Sequence, residues 1–271
     1  MTDLAYLPGL GRSALKRRSL PPAAIGWLLP SALVGIWEAA ARAGLLAPNH
    51  LPAPSTIAAT ILQLARSGDL AVHLTATLAR LGLGFLLGAA AGTLAGAVTG
   101  ASRPVRLLVD PLVQGLRSVP SIAWVPLFIL WLGIFEASKV ALIAVGVFFP
   151  VYLNLMSGIA GVDRKLIEVG RAHRLSPLSL VARVLLPASL PAYIVGLRGG
   201  LGLGWMFVAA AELMGASEGL GFLLVDGQQT GRPAIVIAAI LLFALLGKLS
   251  DLFLARIGQA LTAWQDTEVS R

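Results

Sequence analysis

The sequence contains no cysteine, so it has neither disulfides nor thiolate metal ligands. Its histidines, His50, His73 and His173, lie too far apart to give a metal-ligand spacing. Charge is scarce: 13% of residues are charged, against about 25% in an ordinary soluble domain. Catalytic signatures are missing as well. There is no Walker phosphate loop, no HExxH, no GxSxG and no histidine pair with a carboxylate at a bonding-compatible spacing. The chain is expected to hydrolyse no ATP, to act as no enzyme, and to bind no metal or cofactor of its own.

What remains is apolar. Hydrophobic residues make up 57% of the chain, and the mean hydropathy is +0.83. Several runs reach the ~20 apolar residues that a helix needs to cross the hydrocarbon core. A length of 271 residues suits one membrane domain of about six spans and leaves no room for a soluble catalytic domain. The net charge of +8 is spread over short inter-span segments rather than along one groove. Membrane topology therefore accounts for it, and lipid rather than nucleic acid is the expected surrounding.

Residues 1–22 carry Arg12, Lys16, Arg17 and Arg18 and read as a cytoplasmic tail. A secretory signal also starts basic and then apolar, but the run from Ala23 to about Ala41 is too long for a signal core. It reads as a first span, with Glu38 and Arg42 paired near its outer end. Residues 45–74 read as an external segment: a proline-punctuated turn, then an amphipathic helix from about Ser55 to Ala65 that rests on the membrane or meets a soluble partner. Gly84, Gly88, Gly92, Gly96 and Gly100 then recur every four residues. That stripe lets another helix approach closely, which is the source of association energy in lipid.

The next segment is interrupted. Asp110-Pro111, Ser118-Val119-Pro120 and Pro126 each disturb a regular helix. Broken backbone at membrane depth survives only where protein or a wet cavity covers it. The Arg117–Trp124 stretch is accordingly a candidate for lining a translocation path, with Arg117 attracting anions and Ser118, Ser121 and Trp124 adding polar and aromatic contacts. A kink filled by neighbouring helices is the competing reading. Asn154, in a span interrupted by Pro150, and Glu212, toward the end of the following span, are further path candidates. In that following span, from about Pro191 to Met214, glycines at 196, 199, 200, 202 and 204 suit packing against the same span of a second copy, and Arg198 is another buried-charge candidate. The segment ASEGLGFLLVDGQQTGRP reads as an external loop or a re-entrant gate, and the last span begins near Ala234.

Between two apolar runs lies EVGRAHRLSPLSLVARVLLP, residues 168–187, with Arg171, Arg174 and Arg183, preceded by Arg164 and Lys165. Basic residues place it on the cytoplasmic side. Its apolar residues exceed what a solvated loop needs, and Ser176-Pro177 has the form of a helix cap followed by a first turn. Two short helices meeting at a bend and offering a surface are expected, the alternative being a plain connecting loop. Inner segments hold Arg12, Lys16, Arg17, Arg18, Arg103, Arg106, Arg164, Lys165, Arg171, Arg174, Arg183 and Arg271, and outer ones only Arg66, Lys139 and Arg232. Both termini are thus expected in the cytoplasm.

The same stretch resembles the cytoplasmic signature of ABC-importer permeases. Glu168-Val169-Gly170 falls on its Glu-Ala-Ala start, and Val184, Leu186 and Pro187 fall on its Ile-x-Leu-Pro end. Arg174 departs from it, standing where the family usually has glycine. LPAPSTI (51–57), RSVPSIAWVPLFILWLG (117–133), the run from Leu186 to Leu224, and LSDLFLARIGQALTAW (249–264) resemble the nitrate/sulfonate/taurine branch in particular. The similarity covers roughly residues 20–265. It implies an all-α polytopic fold of the type I ABC-importer permease, with a permease domain over 23–265, a coupling element over 163–187 and a short tail over 266–271.

The resemblance further implies a homodimer in the bacterial cytoplasmic (inner) membrane. Two cytoplasmic ATPase subunits would use ATP and Mg, and a periplasmic or lipid-anchored solute-binding protein would deliver a small anion such as an aliphatic sulfonate, taurine or nitrate. A thiamine pyrimidine precursor or other small nutrient is the alternative cargo. On the same basis Glu168, Gly170, Arg171, Ala172, His173, Arg174, Leu175, Ser176 and Pro177 are the expected ATPase contact. An ion-coupled secondary transporter or channel is the rival class. It would need mid-membrane ionisable groups and an internal repeat, and neither stands out.

Overall fold

A computed structural model describes residues 22–120 and 123–264. The described residues form helices without any strand. In chain order these are α1 (Pro22–Arg42), α2 (Pro54–Ser67), α3 (Asp69–Ala101), α4 (Arg103–Arg117), α5 (Trp124–Leu132) and α6 (Glu136–Ala160), then α7 (Arg164–Ala172), α8 (Pro177–Leu180), α9 (Leu186–Leu213), α10 (Leu220–Gln229) and α11 (Pro233–Leu261). A π-helical stretch, Val181–Leu185, joins α8 to α9. Four helical runs are long and apolar enough to cross a membrane: Asp69–Ala101, Glu136–Ala160, Pro177–Leu213 and Pro233–Leu261. The other two expected crossings are of a different kind. α1 has 21 residues, enough for about 31 Å, whereas α4 and α5 have 15 and 9 and form a broken pair.

The glycine stripe positions the centre of the bundle. Gly84, Gly88, Gly92, Gly96 and Gly100 lie in turn on Ile143, Ala144, Phe148, Tyr152 and Ile159, so α3 and α6 run parallel in close contact. A β-carbon at Gly88 would fall 2.3 Å from the Ala144 carbonyl oxygen, a backbone atom that cannot step aside. On an adjoining face α6 packs antiparallel to α9, with Gly196 on Asn154 and Gly200 on Val147. Ile143, Val147, Val151 and Tyr152 of α6 are fully buried as a result. In lipid this close van der Waals contact, rather than expulsion of water, holds helices together.

Several sequence expectations need correction. Pro111 and Pro150 do not interrupt their helices, since α4 and α6 run through them. Pro126 lies in the first turn of α5, where a missing N–H costs nothing. α4 ends at Arg117 and α5 starts at Trp124. Asp69 and His73, the end of the segment read as external, already belong to α3, and α2 buries Ile57 against the bundle. Gly196, Gly200 and Gly204 pack within the chain instead of awaiting a second copy, and only Gly199 and Gly202 stay on an open face. Residues 216–233, expected as an external loop or a re-entrant gate, contain the helix α10, whose Leu220 and Leu223 are buried against Ile235 and Leu242 of α11.

Candidate coupling surface and membrane path

The stretch from 163 to 187 begins with a capped helix. The Asp163 carboxylate accepts the Lys165 N–H at 2.9 Å and starts α7. The helix ends in a paired closure: Leu175 N–H donates to the Gly170 carbonyl at 3.2 Å and Arg174 N–H to the Arg171 carbonyl at 2.8 Å. This is the Schellman pattern, which needs a left-handed residue after the helix, usually glycine. Arg174 occupies that position with φ 55°, the sole positive φ of a non-glycine residue among the described residues. The bend is therefore made here by an arginine held in a left-handed conformation.

Beyond the bend, Ser176 accepts the Ser179 N–H at 3.2 Å, and Pro177 opens α8. From Pro177 the chain stays helical through the π-helical stretch to Leu213, a continuous run of 37 residues. The second half of the element is thus the lower end of a membrane helix. Gly170 is buried, because a β-carbon there would meet Leu180 Cδ1 at 2.5 Å, and this contact seats α7 on α8.

Glu168, Arg171, Ala172, His173, Arg174, Ser176 and Pro177 are exposed, and Leu175 is half-buried. Among the described residues, the Glu168 carboxylate and the Arg171 and Arg174 guanidinium groups have no hydrogen-bond partner, while His173 Nδ1 lies 2.9 Å from the Val169 carbonyl oxygen. Val169 and Leu178 are also exposed, at 56% and 80%. Next to them, Val184, Pro187 and Trp264 help line a groove of about 570 Å³. Unpaired charges around apolar knobs form a surface suited to a partner protein.

The path candidates divide. Arg117 and Trp124 come together on a cavity of about 350 Å³ whose remaining wall includes Phe149, Pro150, Leu203 and Phe207. Asn154 stands one turn from this wall, its Nδ2 donating to the Pro150 carbonyl at 2.9 Å. Ser118 is not part of the lining, and its hydroxyl bonds back to the Gln114 carbonyl at 3.0 Å. Ser121 lies outside the described residues, as do the basic residues at 12–18 and 271. Glu212 is remote from the cavity wall and 1% exposed.

Glu212 belongs to a polar cluster that sequence reading missed. Arg80 Nη1 donates to Glu212 Oε1 at 2.8 Å, and Arg80 Nη2 to Glu136 Oε1 at 2.9 Å. Lys139 Nζ donates to Glu136 at 2.9 Å. Thr77 Oγ1 lies 2.8 Å from Glu212 Oε1 and accepts the Leu220 N–H at 2.8 Å. The Gly221 N–H reaches Glu212 Oε2 at 2.8 Å, and the Gly219 N–H reaches His73 Nδ1 at 3.1 Å. The first free N–H groups of α10 are thereby satisfied, and a carboxylate sits at its positive end. Gly219, with φ 122°, is required there, since a β-carbon would fall 2.4 Å from the Glu212 carboxylate. The available signal was Thr77-x-x-Arg80 inside an apolar helix, a polar pair on one face where charge is costly.

A bundle of apolar helices carrying an exposed, half-charged surface at one end defines a polytopic membrane transport subunit. A profile of the family described as "Binding-protein-dependent transport system inner membrane component" matches residues 84–263. The putative aliphatic sulfonates transport permease protein SsuC of Bacillus subtilis (strain 168) is 43% identical over 89% of this chain and 88% of its own length. The taurine transport system permease protein TauC of Escherichia coli (strain K12) is 33% identical over 86% of each chain. The fold is similar to that in the inward-facing MetNI methionine ABC transporter, at a TM-score of 0.64 and 22% identity, covering 70% of this chain and 94% of that one. The chain belongs to the binding-protein-dependent inner-membrane component family. It is a permease subunit of an ABC importer, located in the inner membrane.

Proposed function

We propose that this permease imports short aliphatic sulfonates, taurine included. The observation that carries the cargo assignment is the 43% identity over 89% of the chain to a relative named for aliphatic sulfonates. The cavity supports it: Arg117 offers a guanidinium to an oxyanion, and Trp124, Phe149 and Phe207 offer apolar surface to a short alkyl tail. Nitrate has no such tail to use.

The permease works as a homodimer with its path on the two-fold axis, so that the open cavity of each copy faces the other. Two ATPase subunits consume the ATP and Mg, this chain having no site for either. Each ATPase grips one 163–187 element, with Arg171 and Arg174 pairing to carboxylates and Val169, Leu175 and Leu178 filling an apolar seat. A solute-binding protein docks at the end of α9 away from this element. When ATP draws the ATPases together, the coupling elements follow. Because α8 continues into α9, that displacement enters the membrane along a helix rather than through a loop.

Uptake of radiolabelled taurine and of a short alkanesulfonate by cells carrying or lacking the gene tests the cargo. Loss of sulfonate uptake, restored by the wild-type chain and at least tenfold lower with Arg117→Gln, is expected. Nitrate uptake lost in its place would reassign the substrate.

A further inference from the structure

The Arg80–Glu212 cluster lies at the far end of α6 and α9 from the coupling element. α6 begins at Glu136, inside the cluster, and ends at Ala160, beside Asp163; α9 rises from the coupling element and reaches Glu212 in its last turn. The cluster joins four helices: α3 through His73, Thr77 and Arg80, α6 through Glu136 and Lys139, α9 through Glu212, and α10 through the N–H groups of Leu220 and Gly221. The side chains of Arg80 and Glu212 are 4% and 0% exposed. Every acceptor of Glu212 is used, and Arg80 also donates to the Glu218 carbonyl at 2.6 Å.

Arg80 also holds Glu136, so separating it from Glu212 would leave the Glu212 carboxylate buried without a counter-charge, and an uncompensated buried charge is costly. Between its two ends α9 is packed on α6 through Gly196 and Gly200, so a displacement at the driven end is passed to the fastened helices together. We propose that Arg80 and Glu212, with Thr77 and His73, are positioning residues for transport. They keep the far ends of α3, α6, α9 and α10 fastened as one body throughout the cycle. Movement of the coupling element then swings this body about the cluster, and the path opens between copies instead of between these helices. The inference rests on the importer reading for its driving force but not on any cargo.

The absence of cysteine allows a direct test. Leu220 is fully buried beside the cluster, whereas Gln229 is exposed at the other end of the same helix. Leu220→Cys and Gln229→Cys are placed separately in the complex with its ATPase and binding protein, in lipid. A membrane-impermeant maleimide is applied in the resting state and in the ADP–vanadate-trapped state. Labelling of Leu220→Cys below a tenth of that of Gln229→Cys is expected in both states. Labelling that rises to the Gln229→Cys level on trapping would show the cluster opening and overturn the proposal.

Glu212→Gln, which keeps size and removes charge, supplies the second readout. At least tenfold less substrate moved per ATP hydrolysed is expected, with Glu212→Asp recovering part of it. An unchanged ratio would also overturn the proposal. Should Glu212→Gln not accumulate, the maleimide result decides alone. Failure of the importer reading would instead appear as ATP hydrolysis that no binding protein stimulates in the unsubstituted chain.

Discussion

The two ends of α9 carry charge in opposite ways. At the coupling end, Glu168, Arg171 and Arg174 are exposed and unpaired among the described residues. At the far end, Arg80 and Glu212 are buried and saturated with partners from α3, α6, α9 and α10. A charge with no internal partner contributes little to folding and is free for an external one. A buried and satisfied charge does the reverse, because losing Arg80 strands Glu212. The molecule is thus fastened at one end and available at the other.

Arg80→Ala should break this contrast most severely. It strands Glu212, and a loss of about 3–5 kcal/mol is expected, visible as a lowered thermal midpoint of the detergent-solubilised chain or as its disappearance from the membrane. Glu168→Lys should do the opposite. Transport is expected to fall at least tenfold, whereas the amount in the membrane and the thermal midpoint stay within about 0.5 kcal/mol of wild type. Transport at the wild-type rate would remove Glu168 from the coupling surface.

Between the two ends, Gly88→Ala sets a β-carbon 2.3 Å from the Ala144 carbonyl oxygen. A cost of about 1–3 kcal/mol follows from overpacking, while the same change at Gly202, which has open space around it, should be near neutral. Thermal unfolding of the pair measures how much the stripe contributes. The smallest effect is expected of Arg174→Gly. It relieves a left-handed arginine at φ 55° and should stabilise the bend by about 1 kcal/mol, although the lost guanidinium is expected to weaken ATPase binding.

Legibility in the sequence followed the same division. The bend within residues 163–187 was readable because its signals are local: Ser176-Pro177 marks a cap and the first turn after it. The α3 stripe was readable because a period of four is a property of one helix, although its partner, α6, was not named by it. Proline misled, since Pro111 and Pro150 sit within unbroken helices. The buried cluster escaped because its members are separated by up to 146 positions. Arg80, Glu136 and Glu212 look like isolated charges until the helices bring them together.

Purification of the tagged chain from its native membrane, with identification of what accompanies it, tests the central claim most directly. A Walker-containing ATPase that co-purifies with the wild-type chain and with Arg174→Gly, and is lost from Glu168→Lys combined with Arg171→Glu, is the predicted result. A chain that purifies alone and still moves solute along an ion gradient would contradict the account and return residues 168–187 to the status of a connecting loop.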